Sequence, residues 1–299
     1  LHPEIPLADM QRLTCMLLEC GATIHEINTL RKHLSRFSGG SLVRAAFPAT
    51  VLGLIVSDVV GDDLDVIASG PTVPDPSTFA DCLRVVEHYG LRWKMPQSIW
   101  AHIEGGLQGR TPETPKADEP AFGRVRNVLV ASVKQALEAA ADEAARCGFV
   151  PRILTTAMSG EARRTAAQLV AEARRAQAGL RPGDAPLCLL AGGETTVTIR
   201  GSGKGGRNQE MALAATLADD RGIDLICVGT DGTDGPTDAA GGYAFSGDLA
   251  RLRAIGLHPK ESLDANDSYP LLLKAGTLLR TGPTRTNVMD MAIMLVRPK

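Results

Sequence analysis

The chain has 299 residues, of which 44% are hydrophobic and 22% are charged, and its formal net charge at pH 7 is −2. This length predicts two domains or one large α/β domain, and the balanced charge argues against nucleic-acid binding, which needs clustered lysine and arginine. No stretch approaches the roughly 18 apolar residues of a membrane-spanning helix. The opening residues, LHPEIPLADM, also lack the pattern of a secretory signal.

The first part of the chain predicts helices and one apolar strand. Residues 7–20, 23–34 and 78–89 have helical patterns. The run TVLGLIVSDV at 50–59 is continuously apolar and rich in β-branched residues, which is typical of a strand buried on both faces. Glycine, proline and charged residues dominate from 105 to 126, and we interpret this segment as a linker between two domains.

The second part of the chain alternates predicted strands with predicted helices. The strands are RNVLVAS, VPRILTTAM, LCLLAGG, TTVTIRG, IDLICVGT and DMAIMLV, and the helices are VKQALEAAADEAARCG, GEARRTAAQLVAEARRAQ and RNQEMALAATLA. This alternation is typical of a layered, largely parallel α/β sheet. LCLLAGG and TTVTIRG are separated only by a tight turn, so they predict a local antiparallel pair and hence a mixed sheet.

Cysteine and histidine spacing indicates no disulfide framework and no zinc centre. The six cysteines include no C-x-x-C pair, which predicts reduced thiols in a cytoplasmic protein. The six histidines show neither an H-E-x-x-H pattern nor a pairing with cysteine that is typical of zinc. The sequence therefore predicts no zinc site.

Five loops at the ends of the predicted strands combine glycine with polar side chains. They are SDVVGDD with IASGPTVPDPST, GGE, GSGKGGRNQE, GTDGTDGPTDAAGG and TGPTRTNV. Glycine, aspartate and threonine are ordinary turn residues, so any one loop has a purely structural explanation. In open α/β sheets, however, ligands bind beyond the carboxyl ends of the strands. Five such loops together predict a shared ligand site.

The stretch GSGKGGRNQE has the composition of an anion cradle. A glycine-rich turn exposes backbone N–H groups, and the helix expected from Arg207 adds its positive end. Lys204 and Arg207 add full charges. The stretch is not a P-loop, because Gly205 follows the lysine where serine or threonine is required.

The same stretch also satisfies G-x-G-x-x-G through Gly201, Gly203 and Gly206. A dinucleotide site requires in addition an acidic residue about 20 residues further on. Asp231 lies beyond that spacing and inside a cluster of aspartates. A nicotinamide-dependent dehydrogenase therefore remains an alternative hypothesis.

Three aspartates, Asp231, Asp234 and Asp238, crowd the loop GTDGTDGPTDAAGG. The loop is not an EF-hand, since Gly242 stands where a bidentate glutamate is needed. Mg²⁺ binds through one or two carboxylates and otherwise keeps water and substrate phosphates, and a cation would relieve the repulsion among the aspartates. The anion cradle, its positive charges and the metal-binding aspartates, together with Asp58 as acceptor of a hydroxyl proton, indicate a phosphoryl-transfer site.

Longer motifs resemble a known family. The motifs are CGATIHEINTLRKHLSRFSGG and SDVVGDDLDVIASGPTVPDPST in the first half, and AGGETTVTIRGSGKGGRNQE, GTDGTDGPTDAAGG, NDSY and TGPTRTNVMD in the second. They resemble the class II glycerate kinases, whose C-terminal part is the MOFRL domain, over nearly the whole chain. The resemblance implies an incomplete, Rossmann-like α/β domain with a parallel sheet in residues 1–120. It implies a second α/β domain with a mixed sheet in residues 121–299, which includes the MOFRL region at about 186–297.

This resemblance also implies an activity, with its site in the cleft between the two domains. A kinase of this family transfers the γ-phosphoryl group of ATP to D-glycerate with Mg²⁺, and the resemblance favours 2-phosphoglycerate as the product. Relatives labelled hydroxypyruvate reductase make an NAD(P)H-dependent reductase the second hypothesis, and a truncated, non-catalytic relative is the third. The implied partners are D-glycerate and ATP, with a homodimer among the assemblies left open.

Site residues follow from the resemblance position by position. Catalytic roles are expected for Asp58, Lys204, Arg207 and Asp231, and metal binding for Asp231 and Asp234. Substrate or nucleotide contacts are expected from Ser57, Ser69, Gly70, Gly192, Gly193, Glu194, Gly205, Gly206, Asn208, Thr230, Asp234 and Asn287.

The chain departs from the family pattern in three places. Family members have an upstream segment with a glycine-rich turn and an active-site lysine, so we expect this chain to be a fragment or to lack its beginning. A chain without that lysine is expected to bind ligand yet turn over poorly. Ser38 replaces a lysine that the family usually has before the Gly-Gly pair, which removes one positive charge. Arg285 replaces a frequent glycine, which is expected to alter the loop or add an anion contact.

Overall fold

The computed structural model describes residues 1–218 and 222–298, and the chain divides into two compact units. Unit 1 comprises Leu1–Ile55 and Asp62–Val130, and unit 2 comprises Val56–Gly61 and Ala131–Lys299. The segment 105–126, interpreted above as a linker, lies within unit 1. Over the described ranges, no helix combines the length and apolar character needed to cross a membrane.

Helices that pack on one apolar core make up most of unit 1. The three helices predicted at 7–20, 23–34 and 78–89 are confirmed. Thr23 and Thr78 each begin a helix with a capping box, in which the threonine side chain and an acidic side chain three residues later bond each other's backbone N–H. The helices of unit 1 are α1 (Leu7–Glu19), α2 (Ile24–His33), α3 (Ser41–Ala46), α4 (Phe79–His88) and α5 (Gln97–Leu107).

Strand β1 (Val51–Val56) pairs with strand β2 (Val125–Ala131) in a two-stranded sheet. The prediction that this apolar run is buried on both faces is wrong, because burial alternates along β1 and Leu52 and Leu54 are 59% and 66% exposed. A continuously apolar sequence does not tell whether a layer covers each face of the strand, and here only one face is covered.

Unit 2 contains a six-stranded sheet. Its strands are β3 (Val150–Met158), β4 (Leu187–Gly193), β5 (Ile223–Gly229), β6 (Gly241–Ala244), β7 (Leu278–Leu279) and β8 (Asp290–Val296). They lie in the order β3-β4-β8-β5-β6-β7. β3 and β4 are parallel, whereas the remaining neighbours are antiparallel. The predicted mixed sheet is therefore confirmed, although the sheet is not largely parallel.

The predicted strand TTVTIRG is not formed. Residues 195–201 run as an irregular segment in which Thr196 makes one isolated bridge to Glu161. The antiparallel partner of β4 is β8, from the far end of the sequence. The alternation of threonine with apolar residues in TTVTIRG is thus compatible with a strand, but β8 occupies the edge of β4 with which TTVTIRG was expected to pair.

Helices cover both faces of this sheet. The helices of unit 2 are α6 (Val133–Arg146), α7 (Ala162–Ala178), α8 (Arg207–Ala218), α9 (Asp248–Ala254), α10 (Pro259–Asp264) and α11 (Ser268–Ala275). One apolar cluster joins α7 and α8 to Leu187, Leu189 and Ala191 of β4. Another joins α6 to Cys188 and Leu190 on the opposite face of the same strand.

The strand directions bring several polar loops to one edge of the sheet. β4 and β5 are both antiparallel to β8, so they run in the same direction as each other. Gly193 at the end of β4 and Gly229 at the end of β5 both pair with Asp290 at the start of β8. The loops after β4 and β5 and the loop before β8 therefore meet at this edge, as the sequence predicted.

Candidate active site

Arg207, the first residue of α8, is the centre of a polar cluster at this edge. Its Nε donates to Asp290 Oδ2 at 2.5 Å and its Nη2 to Asp290 Oδ1 at 3.0 Å. Its Nη1 lies 2.9 Å from Glu194 Oε1. The hydrogen bonds to Asp290, together with the nearby negative charges, raise the pKa of Arg207 further above its usual range. The guanidinium is therefore a permanent cation held in one orientation.

Asp290 is not among the residues predicted from the sequence, yet it holds Arg207 in place. Its side chain is 0% exposed, whereas the side chain of Arg207 is 33% exposed. A carboxylate can stay charged in a buried position only when it is paired with a cation and hydrogen-bonded. Arg207 supplies both the positive charge and the hydrogen bonds. The available sequence signal was a charged residue at the start of the apolar run DMAIMLV.

Three further carboxylates give the edge a negative potential. Burial raises the pKa of Glu194, the charges of Asp290, Asp58 and Asp231 raise it further, and Arg207 opposes the shift. Asp58 follows β1 in the sequence but belongs to unit 2 and is exposed. The Asp231 carboxylate accepts bonds from the backbone N–H and the hydroxyl of Thr233 at 2.9 and 2.8 Å.

This electrostatic arrangement leads to a pH-dependent contribution to stability. The pKa of Glu194 in the folded protein lies above the ordinary value of 4.5. The contribution of Glu194 to the free energy of unfolding is therefore full below pH 4.5, and it is lost as the pH rises through the raised pKa. Glu194→Gln is expected to gain stability relative to the parent over that pH interval. Urea unfolding at a series of pH values measures the difference, with exposed Glu138→Gln on α6 as the control. A pH-independent difference between parent and Glu194→Gln would contradict the assignment.

Asp234 caps α8 from a distant loop. Its Oδ1 accepts the backbone N–H of Asn208 at 3.1 Å, and its Oδ2 accepts the backbone N–H and side-chain Nε2 of Gln209, both at 2.9 Å. The residue is only 3% exposed, and burial raises its pKa although these hydrogen bonds oppose the shift. Both carboxylate oxygens are directed at the helix. This geometry favours a capping role over the metal ligation expected for Asp234.

Asp234→Ala is expected to lower the free energy of unfolding by about 2 kcal/mol, the upper range for loss of a helix N-cap. A larger loss is not expected, because the raised pKa shows that desolvation of the carboxylate already offsets part of the hydrogen bonding. Chemical denaturation measures the change. Asp238→Ala, at an exposed position in the same loop, is the control and should alter stability little. Equal losses in the two variants would argue against capping.

The glycines of GSGKGGRNQE serve close packing of the chain. A Cβ atom on Gly206 would lie 2.3 Å from Asp234 Cγ, and one on Gly205 would lie 2.2 Å from Ser268 Oγ. One on Gly203 would lie 2.5 Å from the side chain of Asp267. The Asp234 carboxylate thus occupies the start of α8. An anion bound in the predicted cradle, or the pyrophosphate of a dinucleotide, would place its negative charge at the same position.

The two glycines at the end of β4 also allow close approach. A Cβ on Gly192 would lie 2.3 Å from Val133 Cγ2, and one on Gly193 would lie 2.2 Å from the carbonyl oxygen of Met158. These glycines therefore let the strand end pack tightly and present Glu194 beyond it. Their predicted ligand contacts stay predictions.

Lys204 lies on a separate part of the loop. Its backbone N–H donates to Asp267 Oδ1 at 2.8 Å, and its Nζ lies 4.5 Å from the ring centroid of Tyr269. The Tyr269 hydroxyl donates to Asp238 Oδ1 at 2.6 Å and accepts from Arg280 at 2.7 Å. The Lys204 side chain is therefore positioned by a cation–π contact, and its catalytic role stays a prediction.

Thr230 and Asn287 connect the loop after β5 with the loop before β8. The Thr230 hydroxyl donates to the Met289 carbonyl at 2.6 Å and accepts the Val288 N–H at 2.8 Å. Asn287 Oδ1 accepts the Met289 N–H at 3.0 Å. Both predicted residues lie at the expected edge, where they order the backbone that leads into Asp290.

The remaining predicted residues are divided between the units. Ser57 and Asn208 are buried in unit 2, where Ser57 N–H donates to the Ala131 carbonyl at 2.9 Å. Ser69 and Gly70 belong to unit 1. Ser69 donates its hydroxyl to Asn28 Oδ1 at 3.0 Å and has a φ of 59°, a left-handed conformation that costs a non-glycine residue energy.

A cavity of about 660 Å³ opens beside Arg207. Glu194 and Arg207 contribute its charged wall, and Val60, Val197 and Ile199 contribute apolar surface. This volume lies within the range of small-molecule binding sites, and such sites combine apolar walls with a few placed polar groups. The arrangement suits a small anion attached to a larger, partly apolar group.

Two family models and several known proteins match the sequence of this chain. The model described as a domain of unknown function, DUF4147, matches residues 1–104, and the model of the MOFRL family matches residues 187–290. A glycerate 2-kinase of Pyrococcus horikoshii is 46% identical over 298 residues, which are 99% of this chain and 67% of that protein. A putative hydroxypyruvate reductase of Agrobacterium vitis is 44% identical, with coverage of 98% and 66%.

A solved structure matches as well. The crystal structure of a glycerate kinase from Thermotoga maritima superposes with a TM-score of 0.89 at 44% identity, and the match covers 99% of this chain and 69% of that one. The present chain thus spans about two thirds of the length of its relatives. At this identity and coverage, the chain belongs to the class II glycerate kinase family, which includes the MOFRL domain.

Proposed function

We propose that this protein transfers the γ-phosphoryl group of ATP to D-glycerate in the presence of Mg²⁺ and yields 2-phosphoglycerate. The observation that carries the proposal is the Arg207 guanidinium, which Asp290 holds beside the carboxylates of a ligand-sized cavity. The relative named glycerate 2-kinase supports both the substrate and the phosphorylated position.

Arg207 is proposed to stabilise charge on the transferring phosphoryl group. A guanidinium has five N–H donors, and its Nε and Nη2 bonds to Asp290 leave further N–H groups for a ligand. The side chain is one-third exposed, so a ligand can reach it. Phosphoryl transfer depends mainly on positioning and on electrostatic stabilisation, which a fixed cation supplies without reorganisation.

Glu194 and the carboxylates that act on it fit a magnesium ion and a proton acceptor. Asp58, Glu194 and Asp231 are hard oxygen ligands, and their mutual repulsion contributes to the raised pKa of Glu194. Mg²⁺ needs only one or two protein carboxylates, and Asp231 is our proposed ligand. Bound Mg²⁺ would neutralise charge on the phosphates. Asp58 or Glu194 would orient the glycerate hydroxyl and accept its proton, and the raised pKa of Glu194 suits this role.

The reductase alternative receives less support from the geometry. The Agrobacterium vitis relative carries the name putative hydroxypyruvate reductase, and the G-x-G-x-x-G pattern is present. However, the Asp234 carboxylate occupies the start of α8, where a dinucleotide site needs free N–H groups for pyrophosphate. Negative charge at that position repels a second anion.

Two assays on the purified chain separate the hypotheses. ADP release from ATP and D-glycerate measures kinase activity, and NADH oxidation with hydroxypyruvate measures reductase activity. We expect ADP release that depends on Mg²⁺, and ³¹P NMR should identify the product as the 2-phosphate. NADH oxidation without ADP release would overturn the proposal, as would calorimetric binding of Mg²⁺–ATP without turnover, which is the result expected for a non-catalytic relative.

A further inference from the structure

Unit 1 contains a cluster of metal-ligand residues that the proposed reaction does not use. His2, Glu4 and His102 each offer a ligand atom, and these atoms lie within 4.8 Å of one another. The residues come from the opening segment of the chain and from α5. The pair Glu4 and His102 is separated by 98 positions in the sequence, so histidine spacing could not reveal the cluster, and the sequence predicted no zinc site.

The hydrogen bonds of His102 require a positive charge between its ring and Glu4. Its Nε2 lies 3.0 Å from the carbonyl oxygen of His33, and its Nδ1 lies 2.9 Å from Glu4 Oε1. A neutral imidazole has one N–H, and here the backbone carbonyl can take it. Nδ1 then directs a lone pair at a carboxylate, which is repulsive unless a proton or a metal ion lies between them.

His2 places a second imidazole ring next to that of His102. Its ring centroid lies 4.4 Å from that of His102. Two imidazolium rings at this distance would repel each other, so His2 is favoured as a lone-pair donor. The cluster thus provides two imidazole nitrogens and one carboxylate.

The core of unit 1 holds the two contributing segments together. Ile5 is 3% exposed and packs in the same apolar cluster as Ile99 and Ile103 of α5, which flank His102. The backbone N–H of His2 also donates to the backbone carbonyl of Leu34 at 3.3 Å. The ligand atoms are therefore brought together by packing, and little ordering remains for a metal to impose.

We propose that His2, Glu4 and His102 bind a Zn²⁺ ion, with water as the fourth ligand. Two histidines and one glutamate are the donor set of three-ligand zinc sites, which keep one position open. A metal-ligating histidine normally donates its other N–H to a carboxylate or a backbone carbonyl, as His102 does to His33. The ion replaces the proton between His102 and Glu4 and links the opening segment to α5.

Two neighbouring positive charges oppose the ion. Arg36 and the N-terminal amino group both act electrostatically on His2, so both repel a cation, and the carboxylate of Glu4 offsets that repulsion. Arg36→Gln is therefore expected to tighten zinc binding. A site that held an anion would instead lose affinity with this substitution, so the variant tests the sign of the bound charge.

Zinc titration of the EDTA-treated chain tests the proposal. The exposed thiols of Cys15 and Cys147 are alkylated first, since they could bind zinc themselves. Calorimetry is expected to show one equivalent of Zn²⁺ per chain. His2→Gln and Glu4→Gln should weaken binding by at least about tenfold, and neither can unfold the core, because both positions lie outside it. The Co²⁺ form should show the visible absorption of a four-coordinate ion.

A matched control isolates the cluster. His25→Gln removes an exposed histidine of α2 outside the cluster and should bind zinc as the parent does. Zinc should raise the melting temperature of the parent and of His25→Gln but not of His2→Gln. Absence of a one-to-one zinc complex, or equal affinity in His2→Gln and His25→Gln, would overturn the proposal. Neither outcome bears on glycerate kinase activity.

Discussion

Arg207→Ala is expected to lower kcat for ADP release by a factor of about 10² to 10³, the loss found when one charge-stabilising donor is removed from an active site. The reason is that Asp290 and Glu194 hold this guanidinium in one orientation before a ligand binds. Arg207→Lys should lose much of the same rate, because lysine keeps the charge but cannot form the bidentate bond. Steady-state kinetics with varied D-glycerate and ATP measure both effects.

The control for this prediction is Arg164→Ala, which removes an exposed arginine of α7. Its kcat should equal that of the parent. The folded state of Arg207→Ala must also be checked by denaturation, because loss of the guanidinium leaves Asp290 buried without its cation. A folded Arg207→Ala protein with unchanged kcat would remove Arg207 from the proposed mechanism.

Asp290→Asn is expected to lower both stability and turnover. Removal of one partner from a fully buried ion pair costs about 3–5 kcal/mol. The Arg207 side chain is 33% exposed, so solvent can take over part of its charge, and we expect a loss of about 2–3 kcal/mol. Turnover should fall with little change in KM, because Asp290 positions Arg207 and lies too deep to contact substrate. Urea denaturation and steady-state kinetics measure the two effects.

A second ion pair on the same sheet is the control. Asp224 of β5 pairs with Arg297 at the opposite end of β5 and β8, and half of the Arg297 side chain is exposed. Asp224→Asn should cost at most about 1 kcal/mol and leave kcat unchanged.

A double-mutant cycle tests whether Asp290 acts through Arg207. If it does, Asp290→Asn combined with Arg207→Met should destabilise less than the sum of the two single variants, because each single variant already breaks the same pair. Additive losses would show that the two residues stabilise the protein independently. In that case Asp290 would not be a positioning residue for Arg207.

The sequence predicted strands β3, β4, β5 and β8 and helices α6, α7 and α8 of unit 2, but it did not predict β6, β7 or α9 to α11. VPRILTTAM, LCLLAGG, IDLICVGT and DMAIMLV are short apolar runs, and glycine-bounded helical patterns separate several of them. The observed β3, β4, β5 and β8 agree with these predictions. Local periodicity is strong in such segments because each has to bury a continuous apolar surface. The clustering of glycine and acidic residues after strands likewise indicated the correct edge of the sheet.

The roles of single polar residues were less accessible, because they depend on partners far away in the sequence. Asp234 looked like a metal ligand among its neighbours, yet it caps α8 through Asn208 and Gln209. The glycines before α8 looked like a phosphate cradle, yet they make room for Asp234 and for Asp267. Composition reports which groups are present in a loop, whereas their partners depend on which loops the sheet brings together.

By itself, the amino-acid sequence of this protein determined its family, part of its α/β elements and the edge of the sheet where polar loops gather. These properties depend on local patterns of apolar residues, glycines and carboxylates, which each segment carries alone. Only the tertiary structure decided that β8 lies between β4 and β5 and that Asp290 meets Arg207 there. It also decided that His2 and Glu4 meet His102. The physical reason is that such contacts result from the packing of distant segments, and burial then determines which charged groups must be paired.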